Sequence, residues 1–250
     1  MRALTLVALL LAAPLPATAQ RVVSLNLCTD QYLLALAPQK ATAVTFLARD
    51  PELSAMATAA ATVPTVRADA EAVLALHPDL VLAGRWGARA TLDALARRGV
   101  AIERIDPPAD FPAIRATTLA LGARLGATAR AAALLAEMDA TLAALPPPTH
   151  QPAIALEPRG YSAGPGSLRA AVLDAAGLEN AGDGSQLSLE ALAARPAVLL
   201  VLAPPPPFPS RATEFLSHPL LAHHRRRTVP AALTICGGPW TARAVAQLAR

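Results

Sequence analysis

Short runs of apolar and β-branched residues alternate with amphipathic helical patterns over the first hundred residues of this chain. Strands are predicted at residues 21–26, 42–47, 79–84 and 100–106, and helices at residues 29–37, 70–76 and 88–98. Pro78 separates the middle helix from the next strand, and Gly99 closes the last helix. Strands that alternate with helices in this way are typical of an α/β fold with largely parallel sheets.

The middle of the chain has a different pattern. From residue 110 to residue 145 the spacing is helical with no strand candidate, and it stops at the three prolines 146–148. A continuous helix of that length would span roughly 50 Å at 1.5 Å per residue. Gly122 and Gly126 are expected to kink or interrupt it. A helix this long in so short a chain predicts a brace between two lobes.

The alternation then resumes. Strands are predicted at residues 153–158, 197–204 and 228–235, and helices at 167–177, 188–194 and 241–250. Residues 70–83 and 189–203 echo each other, because both run from an acid through an apolar helix and a proline to an apolar strand. This predicts a first lobe at 20–109, a helix at 110–146 and a second lobe at 147–250.

The first nineteen residues are typical of a cleaved signal peptide. Arg2 precedes an apolar run from Leu4 to Ala13, which is too short to span a bilayer. The small residues Ala17–Ala19 follow as a cleavage site. We therefore expect removal after Ala19 and an exported, periplasmic protein.

Charge gives no support for nucleic-acid binding. The formal net charge is +4, and the basic residues are scattered except for the run “HHRRR” at residues 223–227, which reads as a solvated loop. The five histidines form no cluster along the sequence, so neither a metal site nor a cofactor is expected.

An ordered set of motifs resembles the periplasmic substrate-binding proteins for metal chelates, which serve ABC importers of ferric siderophores, vitamin B12 and haem. “RVVSLNLCTDQYLLALA” is similar to the opening strand, loop and helix of that family, with Asp30 in the place of its Glu. “EAVLALHPDLVLAG”, “SAGPGSLRAAVLDAAGLENAGDG” and “LSLEALAARPAVLLV” resemble later family motifs in the same order.

The resemblance implies two Rossmann-like α/β lobes joined by a single long helix, with the ligand cleft between the lobes. It also implies a monomer that docks on a permease–ATPase pair at the inner membrane through one exposed Glu per lobe. Glu190 matches the position in the second lobe. In the first lobe Arg89 stands where the acid is expected, and Asp93 is the nearest carboxylate.

Ligands of parallel α/β sheets gather at the carboxyl ends of the strands. Four loops are predicted there, and both tryptophans and one tyrosine fall in them, accompanied by arginines. The candidate ligand-binding residues are Asp30, Arg85, Trp86, Arg89, Arg159, Tyr161, Trp240 and Arg243. Flat aromatic faces suit a porphyrin, corrin or catecholate ring, and guanidinium groups match the oxygens of an anionic chelate.

The two cysteines lie in the first and last of these loops. In an oxidising compartment Cys28 and Cys236 can form a disulfide, which would hold the two lobes together. Buried thiols and direct ligands of a soft metal or corrinoid are the alternatives, and the sequence leaves the three open.

The chain lacks the residue sets of an enzyme. There is no “GxSxG”, no phosphate-binding loop that ends in Lys, and no His partner for Cys28. We therefore expect a receptor without catalytic residues, with a ferric siderophore-like chelate as first ligand and cobalamin or haem as alternatives. A secreted hydrolase or a bilobal sensor is the alternative from another class.

Overall fold

The computed structural model describes residues 20–195, 197–205 and 211–250. The predicted signal peptide lies outside the described residues, as does most of the proline-rich stretch after residue 203. The eight described strands form two four-stranded sheets, and every pairing between strands is parallel. The prediction of two α/β lobes is confirmed.

The first sheet has the order β2-β1-β3-β4. Its strands are β1 Val22–Ser24, β2 Ala41–Ala43, β3 Leu80–Gly84 and β4 Ala101–Ile105. β1 and the first four residues of β3 are buried, as expected for central strands covered by helices on both faces. The helices of this lobe are α1 Leu27–Leu36, α2 Ala57–Ala60, α3 Ala70–Leu74 and α4 Arg89–Arg97.

The second sheet repeats that topology with the order β6-β5-β7-β8. Its strands are β5 Gln151–Ala155, β6 Leu178–Asn180, β7 Leu199–Leu202 and β8 Arg226–Thr228. Its helices are α7 Leu168–Ala175, α8 Leu189–Ala193, α9 Arg211–Glu214 and α10 Ala242–Leu248. The echo in the sequence therefore has a structural basis, because α3 leads into β3 as α8 leads into β7.

Two edge strands differ from the sequence-based expectation. β6 was not predicted, since its three residues carry Glu179 and Asn180 and have no apolar alternation. The last strand lies at β8 rather than at 228–235, where Pro230 precedes a 3-10 turn. The basic run is thus not a solvated loop: Arg226 lies in β8 and donates to the carbonyl oxygens of Leu216 and Leu221.

The prediction of one continuous helix over 110–146 is wrong. The segment forms α5 Phe111–Arg124 and α6 Thr128–Ala143, which are separated by a turn at Gly126 with φ of 63°. The ion pair between Arg115 and Asp139 shows that the two helices are antiparallel. Gly122 permits the close approach, since a Cβ there would lie 2.5 Å from the Cβ of Ala131.

α6 contacts both halves of the molecule. Near its start, Arg130 donates to the carbonyl oxygen of Ala35 in α1, and farther along Met138 packs with Ala242 of α10. Its sixteen residues correspond to about 24 Å, half the length predicted for the brace. One buried apolar cluster includes residues of both lobes, among them Leu33 and Leu173. The lobe boundaries themselves stay a prediction.

Candidate functional site

The carboxyl-terminal edges of the two sheets meet at their loops. Cys28, at the start of α1 after β1, is bonded to Cys236 in the loop after β8, and their Cα atoms are 5.2 Å apart. Gly237 packs against the segment after β4, because a Cβ on it would lie 2.6 Å from the carbonyl oxygen of Pro108. We call the loops that follow the strands at these carboxyl-terminal edges the rim loops. The two contacts show that rim loops of the two lobes touch across the boundary between the lobes.

The disulfide is one of the three alternatives that the sequence left open for Cys28 and Cys236. Cys236 is fully buried, and its carbonyl oxygen accepts a hydrogen bond of 3.1 Å from the indole Nε1 of Trp240. The Trp240 ring packs edge-on against Tyr32 of α1, with ring centroids 5.3 Å apart. Trp240 is only 5% exposed. This burial does not favour the expected contact with ligand, since the ring helps to seal the interface between the lobes.

The first lobe carries two exposed aromatic side chains on its rim. Trp86 follows β3 and is 72% exposed, with the Arg85 guanidinium 5.4 Å from its ring centroid. Arg85 also forms an exposed ion pair with Asp106, which follows β4. Phe46 begins the 3-10 helix after β2 and is 70% exposed. Since both follow strands of one parallel sheet at its carboxyl edge, Phe46 and Trp86 are candidates for contact with a ligand.

Phe46 was missed by the sequence reading, which assigned residues 42–47 to a strand. The strand ends at Ala43, and Thr45 is held by Asp30 of α1. The Asp30 carboxylate accepts bonds from the Thr45 backbone N–H at 3.2 Å and from the Thr45 hydroxyl at 2.5 Å. The sequence would have placed Phe46 on the rim only if turn residues had marked the end of the short strand β2.

Asp30 is therefore not a surface ligand of the cleft. Its side chain is completely buried, and this desolvation raises its pKa to about 7 despite the hydrogen bonds from Ser24 and Thr45 that lower it. The prediction of a ligand contact is corrected to a positioning role. Asp30 fixes the loop on which Phe46 is presented.

The second lobe presents Arg159 and Tyr161 after β5. Both are exposed, and Tyr161 is paired through its backbone with Gln186. Arg159 adopts a left-handed φ of 65°, and its carbonyl oxygen accepts from the Gln186 side chain. Gly160 has φ of 85°, and a Cβ there would meet the Leu187 carbonyl oxygen at 2.7 Å. This backbone holds Tyr161 at the rim.

The two remaining candidate arginines, Arg89 and Arg243, lie in different parts of the structure. Arg89 is the first residue of α4 and is exposed near Trp86 in the chain. Arg243 is also exposed, and it lines a groove of about 280 Å³ beside α6 with Arg130 and Trp240, away from Trp86 in the chain. Arg243 is consequently left out of the site proposed below.

The two lobes carry one matching acid each. Glu190 is exposed in the first turn of α8, whose N-cap is Ser188. Hydrogen bonds from its own backbone N–H and from the Ser188 hydroxyl lower the pKa of Glu190. Glu71 occupies the same place in α3, behind the N-cap Asp69. Glu71, rather than Asp93, is therefore the acid of the first lobe whose position matches that of Glu190.

Within the described residues, no group of three or more His, Cys, Asp or Glu side chains is arranged to hold a metal ion. In the same part of the chain, no helix combines the length and the apolar character needed to cross a bilayer.

Comparison with known proteins places this geometry in a family. A model of the family described as “Periplasmic binding protein” matches residues 22–225. The chain belongs to this family. Its members are extracytoplasmic binding proteins rather than enzymes. The family match also confirms the resemblance to the chelate receptors of ABC importers. A comparison with curated protein sequences found no match.

Several solved structures share the fold. A periplasmic heme binding protein from Pseudomonas aeruginosa is 25% identical, with a TM-score of 0.67 over 92% of this chain and 91% of that one. The heme-binding protein RhuT from Roseiflexus sp. RS-1 is 23% identical, with a TM-score of 0.70 over 92% and 97%. An ABC-type Fe3+-hydroxamate transport protein from Saccharomonospora viridis is 18% identical, with a TM-score of 0.64 over 94% and 93%.

Proposed function

We propose that this chain is a periplasmic receptor that binds an anionic metal chelate of the ferric siderophore type between its rim loops and delivers it to an ABC permease. The observation that carries the proposal is the placement of Phe46, Trp86 and Tyr161, all exposed, at the carboxyl ends of strands in both lobes. Export through the predicted signal peptide at residues 1–19 is part of the proposal.

The chemistry of these residues suits a chelate. Aromatic rings offer large rigid faces at a low cost in side-chain entropy, and they stack on the flat or apolar outer surface of a chelating ligand. Arg85, Arg89 and Arg159 are exposed in the same rim loops or directly after them. Guanidinium groups pair with carboxylate, catecholate or hydroxamate oxygens in a bidentate way, which favours an anionic ligand.

Delivery to a permease would use the matching acids. Glu71 and Glu190 are exposed at equivalent places in the two lobes, each in the first turn of a helix. Two carboxylates on one protein can pair with basic groups on two halves of a permease. We propose this pair, rather than Glu190 with Asp93, as the docking residues of a monomeric receptor.

Haem and cobalamin are the alternative ligands of the same receptor. Haem is favoured by the names of two of the similar structures, including the one from Pseudomonas aeruginosa. A planar porphyrin with two carboxylates would also use aromatic and guanidinium side chains. A panel of ligands is therefore needed.

The two tryptophans make the test simple, because one is exposed and the other is buried. The mature protein is titrated with a ferric tris-hydroxamate, a ferric tris-catecholate, cyanocobalamin and haemin while fluorescence and melting temperature are followed. The expected ligand quenches emission, and at a hundredfold excess over Kd it stabilises the fold by about 2.7 kcal/mol.

Two variants locate the effect. Trp86→Phe should remove most of the ligand-dependent change in fluorescence and leave the emission of the buried Trp240. Leu119→Ala, a change at another exposed apolar side chain on α5, serves as the control and should bind as the native protein does. If none of the four ligands changes fluorescence or melting temperature, the proposal is wrong.

A further inference from the structure

We infer that the amino terminus of the exported chain is a modification site, at which Gln20 closes to a pyroglutamyl lactam whose ring N–H is held by Asp79. The inference rests on the proposed export, since cleavage after Ala19 makes Gln20 the first residue of the mature chain. The site lies at the amino ends of β1 and β3, away from the rim loops at their carboxyl ends.

One carboxylate ties the start of β1 to the start of β3. Asp79 Oδ2 accepts from the backbone N–H of Gln20 at 3.1 Å and from that of Arg21 at 2.9 Å. Asp79 Oδ1 accepts from the Arg21 guanidinium at 3.2 Å. The hydrogen bonds from Arg21 and Gln20 lower the pKa of Asp79, so the carboxyl group is a charged acceptor at neutral pH. The nitrogen that becomes the mature amino group therefore has a fixed partner.

The Gln20 side chain is available to react with that nitrogen. The residue is exposed, and within the described part of the chain its side-chain amide makes no hydrogen bond. The amine nitrogen and Cδ belong to one residue, so attack closes a five-membered ring at a high effective concentration. The new N–Cδ bond replaces the bond from Cδ to the side-chain nitrogen, which leaves as ammonia with the proton that the amine gives up. The reaction needs no oxidant, cofactor or second reactant.

The charges around the amine do not lock it as an ammonium ion. An α-amino group ordinarily has a pKa of about 8, and only its unprotonated form has the lone pair that attacks Cδ. An ammonium ion at Gln20 would share the Asp79 carboxylate with the Arg21 guanidinium, a second cation that is already paired with it. This neighbour of like charge offsets part of the stabilisation that Asp79 would give the ammonium ion. Neutral amine therefore remains available for closure.

The product preserves the contacts that the structure shows. A lactam nitrogen carries a single hydrogen, as does the peptide nitrogen of Gln20 that donates to Asp79. Closure keeps this bond and removes a positive charge beside Arg21. It also blocks the chain to aminopeptidases, which would otherwise trim Gln20 and then Arg21. The carbonyl oxygen of Arg21 accepts from the backbone N–H groups of Asp79 and Leu80, so the block protects the junction of two central strands.

Intact mass spectrometry tests the closure. The full chain is expressed with its own signal peptide, purified from the periplasm without reductant, and kept at neutral pH for several days. Gln20→Asn is the matched control, because it keeps a side-chain amide on a chain one methylene too short to form the five-membered ring. We expect the native protein to be lighter than residues 20–250 with the disulfide by one molecule of ammonia, and the control to have the full mass.

A proton–nitrogen NMR spectrum tests the anchoring by Asp79. The lactam N–H should give a resonance in the native protein that Gln20→Asn lacks, because the protons of a free amine exchange with water too quickly to be observed. Asp79→Asn removes the charge of the acceptor and should shift this resonance while leaving the loss of ammonia in place. A resonance that does not move in Asp79→Asn would overturn the assignment of Asp79.

The other results are equally decisive. A native protein of full mass overturns the inference and leaves the proposed export intact. The same loss of ammonia in Gln20→Asn would place the reaction at another residue and would also overturn it. A chain that retains residues 1–19, or that begins at a residue other than Gln20, overturns the proposed cleavage after Ala19, and this inference fails with it.

Discussion

The bond between Cys28 and Cys236 allows a quantitative prediction, made by replacing both cysteines with serine. The bond closes a loop of 208 residues between the rim loops of the two lobes. The loss of chain entropy in the unfolded state corresponds to about 5 kcal/mol for a loop of this length. The double variant should therefore lose about 5 kcal/mol of unfolding free energy, or roughly 10–20 °C in Tm.

Urea denaturation followed by tryptophan fluorescence measures this loss. Trp240 is the natural reporter, because its indole is buried between the lobes and bonded to the Cys236 carbonyl oxygen. Trp86→Phe isolates its signal and, being a change at an exposed residue, should alter stability by less than about 0.5 kcal/mol. The native protein in a thiol reductant should denature like the double variant.

The reasoning also specifies the shape of the transition. Since one buried apolar cluster includes residues of both lobes, the two lobes should unfold together in a single transition, with or without the bond. A loss of less than about 1 kcal/mol would mean that the unfolded chain is already compact enough for the bond to constrain little. Two separate transitions in the double variant would refute the shared core as the basis of cooperativity.

Three further changes test the site residues. Burial raises the pKa of Asp30 to about 7 from 3.8, so its contribution to stability is fully present below pH 4 and is lost as the pH rises through 7. Urea denaturation of the native protein should therefore show a loss of about 2–3 kcal/mol in unfolding free energy from pH 5 to pH 8. Asp30→Asn should remove most of this dependence on pH. Phe46→Ala should weaken chelate binding roughly tenfold, measured by Trp86 quenching, and should change stability by less than about 0.5 kcal/mol because the side chain is exposed. Glu71→Gln combined with Glu190→Gln should leave Kd within about twofold of the native value and abolish ligand-stimulated ATPase activity of the reconstituted importer. The control Glu179→Gln, on the edge strand β6, should leave both Kd and the ATPase activity unchanged.

The central strands of both lobes were predictable, since a run such as “LVLAG” or “VLLVL” is buried on both faces and has the composition of a parallel strand. The edge strands of the second lobe were not. β6 and β8 contain Glu and Arg side chains that face solvent, and only their pairing with β5 and β7 makes them strands. Periodicity carries no information about a partner that is distant in the chain.

The helical hairpin illustrates a second limit. Residues 110–145 have helical spacing throughout, and spacing alone cannot tell one long helix from two helices packed side by side. Gly126 with its left-handed φ and Gly122 with its contact to Ala131 decide the matter in the folded chain. A glycine pair four residues apart was the available signal, and it favoured the interruption that the structure contains.

The tryptophans show why placement in a loop does not settle exposure. Both were predicted at the carboxyl edges of the sheets, yet Trp86 lies in water and Trp240 is buried against Tyr32. The disulfide brings the last rim loop onto α1, where the Trp240 ring packs against Tyr32 and keeps only a small exposed part at the groove beside α6. Sequence reasoning left the disulfide open, so it had no means of assigning Trp240 to the interface.

The same bond bears on how ligand enters. The disulfide and the contact between Gly237 and Pro108 fix the rim loops of the two lobes to each other at one end of the boundary. The loops that carry Phe46, Trp86 and Tyr161 therefore have limited freedom to separate, and little backbone entropy remains to be lost on binding. We therefore expect the proposed site between the rim loops to have a preset width, which favours a rigid ligand whose shape is also preset. A metal complex with all its donors in place meets that condition, and a flexible free chelator does not, so we expect the metal-free chelator to bind much more weakly than its ferric complex.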